Sequence, residues 1–192
     1  MKKALRYLLL VTLALCFSVP CFSRAEAASV ALLPFINNVE DKEKHDAQDL
    51  GKVYYENAFA VLNSKPGFLV VEDDTLLNAL EKNMVAGQMP TEAQMRRIAI
   101  DGNVDIVIAM EIDYFDVTIR RGGEDDMLQM NCEGWVTAYN KLTQKYYRRR
   151  VYDDNTISEA LTSRWNWPQE EFGRQMRREI EKILSVKNKK FM

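Results

Sequence analysis

The sequence predicts a single compact α/β (α+β) domain in which helices pack on a mixed sheet of about five strands. Three observations carry this expectation. Short apolar runs at residues 30–35 and 68–71 each precede a stretch with helical spacing of apolar residues. That order of strand, helix, strand, helix favours a layer of helices covering a sheet. Further along, residues 106–119 and 128–138 alternate apolar and polar positions on either side of "RRGGEDD", the pattern of a half-buried antiparallel hairpin.

The first residues read as a leader. Lys2, Lys3 and Arg6 precede an almost wholly apolar run at residues 8–19, and Ala25 and Ala27 supply small residues at the positions a signal peptidase reads. Residues 1–27 are therefore expected to be a secretory signal peptide, with residues 28–192 as the domain. A membrane span needs roughly 20 apolar residues, and Pro20, Ser23 and Arg24 interrupt the run first. Leu15 and Pro20 precede the leader cysteines Cys16 and Cys21, where lipid attachment requires a small residue, so no stable membrane anchor is expected after cleavage.

Without the leader, the 26 basic residues fall to 22 and the 28 acidic ones to 27, a formal charge of −5. That balance argues against nucleic acid as a partner. About 165 residues suffice for one domain hiding roughly 70% of its unfolded surface. Only Cys132 remains, which excludes an intramolecular disulfide and leaves stability to the apolar core.

Residues 30–35 form a continuous apolar strand, as expected when both faces are covered, and Pro34 ends its ladder by removing a donor. A polar loop follows, then a helix from near Asp46 or Ala47 with Ala47, Leu50, Tyr54, Ala58, Val61 and Leu62 on its inner face, stopping near Ser64. After the strand at 68–71, Asp73 or Asp74 caps a second helix with Leu76, Leu77, Leu80 and Met84 inward. Thr91 and Gln94 fit a capping box for a third helix, Met95, Ile98 and Ala99 form its buried stripe, and Gly102 suits a left-handed closing position.

In the long strand that follows, Ile106, Ile108, Met110 and Ile112 share one phase and Phe115, Val117 and Ile119 the other. A β-bulge near Tyr114 would keep both sets facing the core. Gly122 and Gly123 turn the hairpin, and Leu128, Met130, Cys132, Val136 and Ala138 alternate with polar Gln129, Asn131, Glu133 and Thr137. Residues 145–152, "KYYRRRVY", read as an exposed or edge strand. A short helical stretch at 157–163 precedes a final helix in which Pro168 takes the first position, Glu170 and Glu171 sit at the positive end of the dipole, and Phe172, Met176, Ile180, Ile183 and Leu184 pack inward.

Chemical motifs are sparse. His45, the one histidine, lies in a fully polar run and reads as solvated. Cys132 falls on the apolar phase of its strand, which favours an inert buried thiol. The carboxylates at 40–41, 73–74, 124–126 and 153–154 lack calcium-loop spacing and read as caps and turns. "YYRRRVY" has two readings: an edge strand guarded by charge, or an arginine and tyrosine surface that anchors a protein contact. Trp135, Trp165 and Trp167 are likewise either half-buried core or, in "RWNWP", a binding edge.

"VALLPFINN" at 30–38, "GFLVVEDD" at 67–74 and "AIDGNVDIVIAMEI" at 99–112 together resemble the extracytoplasmic domain shared by the curli secretion lipoprotein CsgG, the penicillin-binding-protein activator LpoB and the amino-terminal domain of TolB. Pro34-Phe35, Val70-Val71-Glu72 and Gly102 with Asp105 occupy the matching places, and the likeness spans nearly the whole chain after the leader. The resemblance implies that the first strand belongs to the core of the α/β domain. The hairpin around Gly122 and Gly123 is too short to build a secretion pore, and no lipobox is present.

The expected role is that of an exported, periplasmic or extracellular, non-catalytic adaptor that binds another envelope protein. Tyr146, Tyr147, Arg148, Arg149, Arg150, Tyr152, Trp165 and Trp167 form its candidate partner surface. A small-molecule or glycan binder using the tryptophans in a cleft is the alternative, and a hydrolase built around Cys132 or His45 comes third. No catalytic, cofactor or metal residue is assigned and no cofactor is expected.

Overall fold

The computed structural model describes residues 27–40, 49–121, 126–158 and 167–185. The leader, His45, Gly122, Gly123 and Trp165 lie outside the described residues. The sheet has six strands: β1 (Ala28–Leu32), β2 (Ile36–Asn37), β3 (Phe68–Val70), β4 (Ile106–Arg120), β5 (Met127–Asn140) and β6 (Lys145–Ser158). Their order is β3-β1-β4-β5-β6, with β2 beside β4 beyond the end of β1. The short strands run parallel to their neighbours, whereas β4, β5 and β6 form an antiparallel meander. This is the mixed, helix-covered sheet expected from the sequence.

Pro34 interrupts the first ladder without ending it. Leu33 N–H still donates to Ile108 O at 2.8 Å, and pairing with β4 resumes at Ile36. Asp105 fixes the other end of β1, its carboxylate accepting from both the N–H and the hydroxyl of Ser29 at 3.0 Å. The aspartate of the Gly102-to-Asp105 motif is thus a clamp between two parallel strands.

Among the described residues four helices cover the sheet: α1 (Leu50–Ser64), α2 (Asp74–Asn83), α3 (Glu92–Asp101) and α4 (Trp167–Ser185). On one face, Leu50, Tyr54, Ala58, Val61 and Leu62 of α1 join Phe172, Met176, Ile180, Ile183 and Leu184 of α4 over Val30, Ile108, Met110 and Val136. The opposite face carries a smaller core in which Leu76, Met95, Ile98 and Ala99 cover Ala31, Val107, Ala109 and Tyr139. Asp73, not Asp74, caps α2 by accepting from Leu76 N–H at 2.8 Å, and the Thr91–Gln94 capping box is formed.

Three local expectations are corrected. Leu77 is 56% exposed and Ala79 takes its place inward, because successive helical residues point about 100° apart and Leu76 already defines the buried stripe. Gly102 closes α3 at φ −82°, and Asn103 takes the left-handed conformation instead. What requires glycine at 102 is space, since a Cβ there would lie 2.8 Å from Ile98 O. Ile157 and Ser158 belong to β6 rather than to a helix.

The bulge falls between Ile112 and Tyr114, so that Phe115 and Val117 return to the same core as Ile108 and Met110. Gly134 sits opposite Ile112, where a Cβ would come 2.2 Å from Glu111 O. Glu171 was expected at the dipole end of α4 but is buried between α4 and β6. Asn155 and Gln175 donate to both Glu171 and Asp153, at 2.8–3.2 Å, and Arg174 also pairs with Glu171. A buried carboxylate needs such partners, and here they fasten α4 to the edge strand.

Candidate functional site

The three meander strands are much longer than the helices beside them. A strand of 15 residues such as β4 spans about 50 Å, while the 10 residues of α3 span about 15 Å. α2 and α3 therefore cover only the end of the face near Val107 and Tyr139. Beyond Thr137, which is roofed by Met89, that face of β4, β5 and β6 is bare of helices among the described residues.

Cross-strand register decides which side chains meet there. Glu111 faces Trp135, which faces Arg150, and the next row is Tyr114, Glu133, Tyr152. Arg148 reaches diagonally to place its guanidinium carbon 4.2 Å from the centre of the Trp135 ring, and it lies 3.9 Å from Glu111. Arg150 donates from Nε at 3.1 Å and from a terminal nitrogen at 2.6 Å to Glu133 Oε1, with Tyr152 5.6 Å away. Partial burial, reinforced by the neighbouring Asp113 charge, raises the Glu111 carboxyl above its ordinary range, and Arg148 opposes the shift. Tyr114 and Tyr152 are 50% and 63% exposed at the two margins.

The candidate partner residues thus divide. Arg148, Arg150 and Tyr152 share the bare face, Tyr146 lies on the same side of the sheet but at its covered end, packed against the smaller core, and Tyr147 and Arg149 point to the α4 side. Tyr147 packs against the main core, and Arg149 is exposed without an acidic partner among the described residues. Trp167 is only 7% exposed and belongs to the core, extending the apolar stripe of α4 by one turn. Glu111, Glu133 and Tyr114 complete the surface and were missed in the sequence. Only the phase slip at the bulge hinted that Tyr114 faces outward.

Elsewhere the chemistry is muted. Burial, with the charges of Asp153 and Glu133 adding to it, pushes the Cys132 thiol up to about 12, which leaves it protonated and unreactive at neutral pH. Among the described residues no cluster of His, Cys, Asp and Glu is arranged to hold a metal ion, and no helix is long and apolar enough to cross a membrane. An apolar cleft of about 540 Å³ lies between Pro34, Phe35 and the residues Leu80, Met84 and Ala86.

No protein-family model matches the chain. No curated protein matches it either. Solved structures do. The hypothetical protein CT253 from Chlamydia trachomatis aligns over 83% of this chain and 95% of its own, at 15% identity and a TM-score of 0.50, a likeness of fold alone. Lipoprotein GNA1162 from Neisseria meningitidis aligns over 82% and 99% at 10% identity and a TM-score of 0.42. The C-terminal domain of LpoB from Salmonella enterica aligns over 68% and 84% at 13% identity and a TM-score of 0.39.

Proposed function

We propose that this chain is an exported, non-catalytic interaction module of the cell envelope that docks another envelope protein on the bare face of β4, β5 and β6. The observation that carries the reading is the ordered set of Arg148, Trp135, Arg150 and Tyr152 on a long sheet face that no helix covers among the described residues. Arginine, tryptophan and tyrosine dominate the energetics of protein contacts, and here sheet register and ion pairs hold them in place before binding. The basic and apolar leader supports export.

A glycan-stacking role fits this face less well. A sugar would need the indole face of Trp135 that the Arg148 guanidinium already occupies. The small-molecule reading rests instead on the apolar cleft beside Phe35 and Met84, whose volume is in the range of ligand sites.

The test is recovery of a partner from the native envelope after gentle crosslinking. The proposal expects one envelope protein to be recovered reproducibly, lost when Arg148 and Arg150 are replaced by alanine, and kept when the exposed Arg96 and Arg97 of α3 are replaced. Recovery unchanged by the first pair would remove the bare face from the account.

A further inference from the structure

We infer that the outer edge of β6 pairs antiparallel with β6 of a second copy of this chain, about a two-fold axis at Val151. β6 ends the sheet, and among the described residues nothing pairs with its outer side over 14 residues. Native sheets guard such edges with bulges, prolines or charge, because a free row of N–H and C=O groups is a template for another strand. β6 has no proline, and its register with β5 runs unbroken from Lys145 to Ser158. Among the described residues the device present is charge, and its arrangement attracts a second copy instead of repelling it.

Three arginines, Arg148, Arg149 and Arg150, precede Val151, and Tyr152, Asp153 and Asp154 follow it. A two-fold axis perpendicular to the sheet sets residues equally distant from Val151 opposite one another and keeps each on its own face. Arg148 then faces Asp154 of the second copy on the bare side. Arg149 faces Asp153 of the second copy on the α4 side, and Arg150 faces Tyr152 of the second copy. Each pair occurs twice, and opposite charges directly across an antiparallel ladder are stabilising.

The neighbouring registers lack this match. Moving the axis to Arg150 sets that arginine against itself, and moving it to Tyr152 keeps a single charge pair, Arg150 with Asp154, while setting Val151 against Asp153 and Arg149 against Asn155. The Arg148–Asp154 pair carries most of this match. Arg149 and Asp154 are exposed, Arg149 has no acidic partner among the described residues, and the partner found there for Asp154 is the amide of Gln129 at 2.6 Å, whereas Asp153 is buried and already accepts from Asn155 and Gln175. The pairing leaves Tyr114 and Glu111, two strands away, uncovered.

The inference is independent of the envelope partner and is tested on the purified full chain alone. Sedimentation equilibrium of the tagged protein recovered from its exporting cell is expected to give twice the mass of the single chain. Arg148→Asp, Asp154→Arg and Arg149→Glu should each weaken the dimer about tenfold or more. The combined Arg148→Asp/Asp154→Arg protein, which restores opposite charges across the axis, should regain it. Circular dichroism and melting of each variant identify any that fail to fold, and Arg149→Glu, at an exposed site, reports independently of the Trp135 stack. A single-chain mass for the native protein at all concentrations, a dimer indifferent to the single reversals, or a folded double variant that stays monomeric would each overturn the inference. None of these outcomes bears on whether the bare face binds an envelope protein.

Discussion

The guanidinium of Arg148 lies 4.2 Å from the centre of the Trp135 ring, diagonally across the β5–β6 ladder. Half-exposed as it is, the contact is expected to contribute ~0.5–1 kcal/mol. Arg148→Ala should lower the unfolding free energy by that amount in urea titrations and shift tryptophan emission to the red, while Arg148→Lys should lose less. An unchanged spectrum would mean that the stack is not populated in solution.

Gly134 is needed because the bulge brings the β4 backbone close. A Cβ at 134 would meet Glu111 O at 2.2 Å and Ile112 Cα at 3.0 Å, and backbone cannot swing aside as a side chain can. Gly134→Ala should therefore destabilise by about 2–3 kcal/mol, near the upper end for overpacking, seen as a lower urea midpoint with an unchanged slope. A midpoint within error of the native protein's would contradict the bulge geometry.

Asp105 and Ser29 exchange hydrogen bonds, with Asp105 N–H donating in turn to Ser29 Oγ at 2.9 Å. Asp105→Ala strands the Ser29 donors and should cost about 1–3 kcal/mol, more than Ser29→Ala. Because both changes remove the same contacts, the double variant should lose clearly less than their sum. Additive losses would show that the two residues act separately.

Cys132 supplies a pH prediction. Its folded value of about 12 lies above the ordinary 9.0, so the folded protein holds that proton more tightly than the unfolded chain. The associated stability is complete below pH 9 and is lost as pH rises toward 12. Cys132→Ala should show a shallower alkaline decline than the native protein, and native Cys132 should react with thiol reagents only as fast as the chain opens. Rapid stoichiometric labelling of the folded protein near neutral pH would overturn this.

Much of the fold was legible because its signals are local and periodic. The phase slip between Ile112 and Phe115 required a bulge, since no straight strand could bury both sets. The capping box of Thr91 and Gln94 and the stripe of α1 were likewise written in adjacent residues. What escaped depends on distant packing. Glu111 and Glu133 become arginine partners only through the register of three strands, shifted by the bulge. Glu171 looked like a helix-dipole residue because nothing nearby in sequence announces Asn155 as its donor. Trp167 escapes for a nearer reason: a proline suits the first helical position, so Pro168 marks the helix start one residue late and hides the tryptophan's place on the same stripe as Phe172 and Met176.

The most direct test of the docking face uses a photoreactive side chain placed singly at positions 114, 152 and 96 of the protein in its own envelope. The account predicts that 114 and 152, at the two margins of the bare face, capture the same envelope protein, 152 in addition to β6 of the second copy beside it, and that 96, on the far side of α3, does not. Capture from 96 alone, or the absence of any product from 114 and 152, would contradict it.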